Sequence, residues 1–162
     1  MIRILSSALD EPIIIHADTL DYSNLEGYNF HRAVLVGYSM VGANLCHADL
    51  RNAELAGANL SFAKLNESSL VMSGSRHVNF YKAILINSIC YHANFIASNF
   101  MEADLSNARV AHSNFENANL IGTNMNCIGL SEANLKGAVY NSQTIWPKDF
   151  YPDRNGALLD PH

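Results

Sequence analysis

The sequence predicts a single-domain repeat fold in which the chain turns a corner every five residues around one continuous core. Three observations carry this. The 162 residues are 49% hydrophobic and only 15% charged, enough apolar material for one buried core and too little charge for intrinsic disorder. From His16 to Ile145 the chain divides into 26 consecutive five-residue words. Their fifth residue is Leu, Phe, Met, Val or Ile in 23, the exceptions being Ser75, Cys90 and Tyr140. The third residue of the word is Ala, Ser or Thr in 20 of the 26, as a backbone passing close to a narrow core demands. A strict period of five fits neither the 3.6 period of a helix nor the 2.0 period of a flat strand. Fifth and third residues therefore point inward; fourth, first and second residues face solvent.

The words Ala43-Asn44-Leu45, Ala48-Asp49-Leu50, Ala58-Asn59-Leu60, Ala103-Asp104-Leu105 and Ala118-Asn119-Leu120 resemble the Ala-(Asp/Asn)-Leu-X-X consensus of the pentapeptide-repeat family over about four fifths of the chain. The resemblance implies an all-β fold, a right-handed quadrilateral β-helix in which four words make one coil of 20 residues. At a strand spacing of roughly 4.8 Å, 26 words imply about 6.5 coils and a rod of about 31 Å. Leu60, Phe80, Phe100 and Leu120 then form one interior ladder, and residues 20 apart stack on the outside as well.

Residues 1–15 are read as an N-terminal arm or cap, in which residues 1–10 form an edge-covering strand or a loose arm and Ile13, Ile14 and Ile15 begin the first coil. Residues 16–145 are the repeat, continuous and without insertions. Tyr28 and Tyr38 stand where small residues are the rule and predict roomier early coils. Residues 146–162 close the chain in a C-terminal cap or tail that resembles the closing segment of cyanobacterial members of the family, with Trp146, Phe150 and Tyr151 as the lid. Open solenoid ends need such covers.

The outward columns contain asparagine ladders, Asn59, Asn79, Asn99, Asn119 in one and Asn94, Asn114, Asn134 in another, whose amides stabilise stacked strands. The column Arg32, Asn52, Met72, His92, His112, Glu132 holds two histidines and a carboxylate. His92 and Glu132 lie roughly 10 Å apart at their backbones, too far to share one ion, so no metal site is expected. Cys90 reads as a core residue. Cys46 and Cys127 fall on one outer face about 19 Å apart, beyond the roughly 7 Å reach of a disulfide. Three free thiols suit a reducing compartment, and the protein is placed in the cytoplasm. No segment approaches the roughly 18 consecutive apolar residues of a membrane span, and Ile2-Arg3-Ile4-Leu5 is too short for a signal-peptide core. Nucleophile elbows, phosphate loops and dinucleotide fingerprints are missing, so no enzyme activity and no cofactor are expected.

Around Phe80 to Met101 the outward positions are apolar: Tyr81, Ile84, Ile86, Ile89, Tyr91, Ile96 and Met101, with Ile121 continuing the column of Tyr81 and Met101. Such a band is a candidate protein-contact surface, for a partner protein or a second copy. The family resemblance implies a further role, inhibition or protection of DNA gyrase by imitating duplex DNA. Duplex DNA carries one charge per about 1.7 Å, on the order of 18 over this rod. The repeat has ten acidic residues against seven basic ones, and the face with His31, Arg32, Arg51, His92, Arg109 and His112 is basic. The members that protect gyrase most specifically carry loop insertions, which this sequence lacks. The net charge of −5 gives no footprint for direct nucleic-acid binding. The sequence therefore reads as a non-enzymatic interaction protein, with gyrase-directed mimicry as the alternative.

Overall fold

The computed structural model describes residues 1–161. The repeat folds as an all-β solenoid. Parallel bridges join residues 20 apart in an unbroken series from Asn24↔Asn44 to Ile89↔Arg109 and Asn99↔Asn119, so four words make each circuit and form four walls, the first holding Asn79 and Asn99, the second Ile84 and Asp104, the third Ile89 and Arg109, the fourth Asn94 and Asn114.

Most words satisfy their backbone in the same way. In Ser61–Leu65, the Phe62 N–H donates to the Tyr81 carbonyl of the next coil and the Leu65 N–H to that of Ile84, while Lys64 donates back to Ala43. The Ala63 N–H closes the corner on the Leu60 carbonyl at 3.1 Å, and the Ser61 N–H is accepted by the Asn59 side chain at 3.1 Å. The second residue of the corner is left-handed, as at Phe62 with φ 60°, the position that a type II turn reserves for positive φ. Glycine, Asn and His tolerate that conformation best. This explains Gly57 and Gly122, Asn87 and Asn107, and also His47, His77, His92 and His112. Those four histidines occupy turn corners, a role that sequence spacing alone does not display.

The asparagines do more than stack. Asn79 Nδ2 donates to Asn59 at 3.1 Å and Asn99 Nδ2 to Asn79 at 3.0 Å, while each Oδ1 also accepts the N–H two residues ahead, at Tyr81 and Met101. This Asx turn bends the chain into the next wall.

Inside, Leu60, Phe80, Phe100 and Leu120 are fully buried, and the Phe80 and Phe100 rings stack with centroids 4.7 Å apart. Phe95 and Phe115, also stacked, meet them from the fourth wall. Below Phe95 in that wall lies Ser75, whose corner carries a buried hydroxyl: Ser98 Oγ accepts the Val78 N–H at 3.1 Å and donates to the Ser75 carbonyl at 2.6 Å. Ser98→Ala leaves both groups without this partner and is expected to cost about 1–3 kcal/mol in urea unfolding. A loss below about 0.5 kcal/mol would mean that the corner re-closes directly.

The five-residue register slips twice, contrary to the uninterrupted frame expected from the sequence. Arg109 bridges Ile128, 19 residues on, and Asn124 bridges Ile145, 21 residues on. Ile128 consequently stands in the fourth position, 54% exposed. Cys127 takes the small inward position and is buried, its thiol donating to the Leu105 carbonyl at 3.3 Å. Its predicted place on the outer face beside Cys46 is therefore wrong. A 3-10 turn at Leu130–Glu132 restores the count, and Asn114↔Asn134 resumes the 20-residue spacing. The second slip turns Ile145, expected inside, outward at 55% exposure and puts Thr144 inside, where its hydroxyl donates to the Leu120 carbonyl.

At the start of the chain, β1 (Ile2–Ile4) pairs antiparallel with β2 (Ile13–Ile15). The Val34 N–H then donates to Leu5 and the Ser7 N–H to Arg32, so residues 5–7 lie along the edge of the fourth wall. Ile4 is buried, and Tyr28 and Tyr38 are half-buried against the core. At the other end β3 (Val139–Tyr140) pairs in parallel with β4 (Leu158–Leu159). Trp146 stacks on Phe150 and meets Tyr140 edge-on, all three packed against the core. Tyr151, read from the sequence as part of the lid, is 51% exposed with the Arg154 guanidinium over its ring.

Candidate interaction surface

All eight outward apolar residues, Tyr81, Ile84, Ile86, Ile89, Tyr91, Ile96, Met101 and Ile121, are half-buried on the outside of the solenoid. The 20-residue stacking distributes them over every side. Tyr81, Met101 and Ile121 share the corner between the first and second walls. Ile84 lies on the second wall, Ile86 at the next corner, Ile89 on the third wall, Tyr91 at the corner beyond, and Ile96 at the last corner. The band encircles the rod, and its one lengthwise strip is the corner of Tyr81, Met101 and Ile121. Phe62, a coil earlier at the same corner and 50% exposed, extends the strip by meeting Tyr81 edge-on at 5.4 Å. Further along this corner the Tyr22 ring lies over Gly42, where an added Cβ would come within 2.6 Å of it. Phe62 and Tyr22 occupy outward second positions outside the band singled out from the sequence, and the contacts between coils add them to this corner.

Charges on the surface pair along the same columns. Lys82 Nζ lies 3.2 Å from Glu102, His47 Nδ1 3.6 Å from Glu67, and His112 Nε2 3.2 Å from Glu132. The His92 and His112 rings stack at 5.0 Å. Among the described residues no three His, Cys, Asp or Glu side chains gather as a metal cluster. The Arg51 side chain bonds Asp49 through two nitrogens, and this hydrogen bonding, together with the guanidinium charge, holds the Asp49 carboxyl below its ordinary value. The cysteines are free thiols. Burial pushes the Cys90 thiol up to about 12 against a weak opposing bond from Ser88, and burial raises Cys127 as well. Neither can act as a thiolate nucleophile at neutral pH.

An open groove of about 570 Å³ lies on the third wall, lined by Glu67, Asn87, Ile89, Asn107, Arg109 and Ile128. No helix among the described residues is long and apolar enough to cross a membrane.

A solenoid of five-residue words with small and large residues alternating inward defines a class, the repeat proteins whose core is a stack of square coils. The family profile described as pentapeptide repeats (8 copies) matches residues 19–52, 39–70 and 98–137, more than half of the chain, and the protein belongs to the pentapeptide-repeat family. Among solved structures it is similar to a trypsin-treated form of QnrB1, described as a plasmid-mediated fluoroquinolone resistance protein, with a TM-score of 0.67 at 18% identity over 82% of this chain and 65% of that one. It is also similar to HetL, described as involved in heterocyst differentiation regulation in the cyanobacterium Nostoc sp. strain PCC 7120 (TM-score 0.38, 21% identity, 75% of this chain and 56% of that one). A further match is Rfr23 of the cyanobacterium Cyanothece 51142 (TM-score 0.41, 26% identity, 79% and 87%). The chain thus spans less than two thirds of that trypsin-treated QnrB1 chain and of the HetL chain. At 18% identity the QnrB1 match establishes a shared fold. No curated protein sequence matches the chain.

Proposed function

We propose that this protein is a non-enzymatic interaction module, a rigid right-handed rod of about 6.5 coils closed at both ends, that presents an outer surface to a protein partner in the cytoplasm. One observation carries the reading: Tyr81, Met101 and Ile121 stand 20 residues apart at one corner, where Phe62 meets Tyr81 edge-on, and make an apolar strip beside the Lys82–Glu102 ion pair. Apolar area in such a strip is released from water only by a partner, either another protein or a second copy. Buried, protonated thiols and tight five-residue corners in place of long loops favour presentation over catalysis.

Imitation of duplex DNA at gyrase is the second reading. The fold shared with a fluoroquinolone resistance protein favours it; the ten acids against seven bases of the repeat and the pairing of several of those acids with Lys82, Arg51 and histidines weigh against it.

Tyr81→Asp and Ile86→Asp test the first reading. Both side chains are outward, so far-ultraviolet circular dichroism and urea midpoint are expected to change little, within about 0.5 kcal/mol. Association, followed by sedimentation of the purified protein and by recovery of any partner bound by the wild type, is expected to fall for Tyr81→Asp. Unchanged association would overturn the surface assignment. A supercoiling assay with added protein separates the readings: inhibition or protection of gyrase would move the balance to DNA mimicry.

A further inference from the structure

We propose that the second wall binds a second copy of this chain, the two rods lying antiparallel with Ile84 facing Ile84 and each Lys64 facing the Asp104 of the other copy. The proposal rests on the reading of the outer surface as a docking face, and it names the occupant.

Successive parallel bridges stack Asn44, Lys64, Ile84, Asp104 and Asn124 in one column along the second wall. All five stand in the outward fourth position, Lys64 exposed and the other four half-buried. From either end the column runs amide, charge, isoleucine, charge, amide, and its two charges are opposite in sign. A two-fold contact sets residue i on j and j on i. With the axis crossing the rod at Ile84, Lys64 of each copy stands opposite Asp104 and Asn44 opposite Asn124, so each residue of the column meets its complement. The flanks agree. Tyr81 and Ile86 bound the wall at its two corners in the same coil as Ile84, and both are half-buried. The axis therefore follows an apolar row with the charges on either side, the apolar centre and polar rim of a protein interface. Lys82, beside Tyr81, keeps its own Glu102 at 3.2 Å.

The two charges of the column do not meet within one chain. Column ion pairs such as Lys82 with Glu102, His47 with Glu67 and His112 with Glu132 join residues one coil apart. Lys64 and Asp104 are two coils apart, roughly 10 Å at their backbones, with Ile84 between them. Neither joins an ion pair among the described residues. Rods packed in parallel would set Lys64 on Lys64 and Asp104 on Asp104, which is repulsive, so the charge pattern selects the antiparallel arrangement. The other walls lack this self-complementarity. The column from Asn59 to Asn119 on the first wall has no charge to fix a register, and Glu54 on the fourth has no cation in its column. On the third wall Asp49 would face Arg109, but Arg51 already holds the Asp49 carboxylate through two nitrogens, and the centre would set Ser69 against Ile89. Five coils span only about 20 Å of wall, a small footprint, so the dimer is expected to be weak and concentration-dependent.

Sedimentation equilibrium of the full chain, from micromolar to near-millimolar concentration, is expected to show monomer and dimer in exchange. Lys64→Asp and Asp104→Lys, each alone, set like charges together at both symmetric contacts and are expected to weaken dimerisation about ten-fold or more. Mixed in equal amounts, the two variants again oppose unlike charges at both contacts, and a mixed dimer of near wild-type strength is expected. Its formation also reports that both variants fold. Asp104→Asn keeps an acceptor for the Ser106 N–H, which Asp104 bonds at 2.9 Å, and removes the charge, so a weakened dimer of this variant separates lost attraction from a lost turn. A wild type that stays monomeric, dimers unaffected by the single substitutions, or a mixture no stronger than its parts would each overturn the proposal. Tyr81→Asp separates it from the reading beneath. If the charge exchange fails while Tyr81→Asp still lowers recovery of a different protein, the corner strip stands and the second copy falls; if the exchange succeeds while Tyr81→Asp changes no association, the strip falls and the wall pairing stands.

Discussion

Phe100→Ala is expected to lower the free energy of unfolding by about 3–5 kcal/mol. Phe100 is fully buried and touches three other rings: Phe80 stacked at 4.7 Å, Phe95 edge-on at 5.2 Å and Phe115 tilted at 5.5 Å. Truncation removes the contacts of a whole ring and leaves a cavity whose walls belong to three consecutive coils. Those coils are pinned by backbone bonds such as Phe80 N–H to Asn99 and Phe100 N–H to Asn119, so they cannot close on the gap. In a solenoid each coil is stabilised mainly by its neighbours, and the damage is expected to appear as a lower urea midpoint with the unfolding slope reduced if one half melts first. A loss under about 1.5 kcal/mol would show that the interior can collapse.

Gly129→Ala is the second large effect, at about 2–5 kcal/mol. Gly129 has φ 79°, and a Cβ there would stand 2.8 Å from the Ala111 Cβ and 3.1 Å from its backbone nitrogen. The left-handed conformation costs an L-residue about 1–2 kcal/mol, and the clash adds about 1–3 kcal/mol because backbone, unlike a flexible side chain, cannot step aside. Gly57→Ala is the matched control: φ is 70° but nothing lies within 4 Å of the added methyl, so only the conformational part, about 1–2 kcal/mol, remains. Equal losses in thermal unfolding of the two variants would show that Gly129 is not held by the coil beneath it.

Much of the fold was legible in the residues. Leu60, Phe80, Phe100 and Leu120 stack inside, and Asn59, Asn79 and Asn99 stack outside, because stacking coils fixes every fifth and every twentieth position at once. The failures fall where one residue is lost or gained. Asn126-Cys127-Ile128-Gly129-Leu130 keeps the five-residue count yet has Ile in the small position and Gly where Asn or Asp is usual. Cys127, one place earlier, is the small residue that goes inside. That mismatch was the available signal for the slip, and with it for the outward turn of Ile128 and the groove around Arg109. Ile145 fails for the same reason, since Thr144 is the better occupant of the inner position. Periodicity places Phe62 and Tyr22 in outward second positions, but their membership of the strip depends on ring contacts between coils, such as Phe62 on Tyr81.

The sequence by itself determined the repeat and most of the core, since an apolar residue at nearly every fifth place must be buried, while the four-walled winding was what the family resemblance implied. The tertiary structure decided the rest: where the count slips, which cations find carboxylates one coil away, and which apolar residues share a corner. These depend on contacts between residues about 20 apart, whose partners are set by the stacking of whole coils and not by any single word.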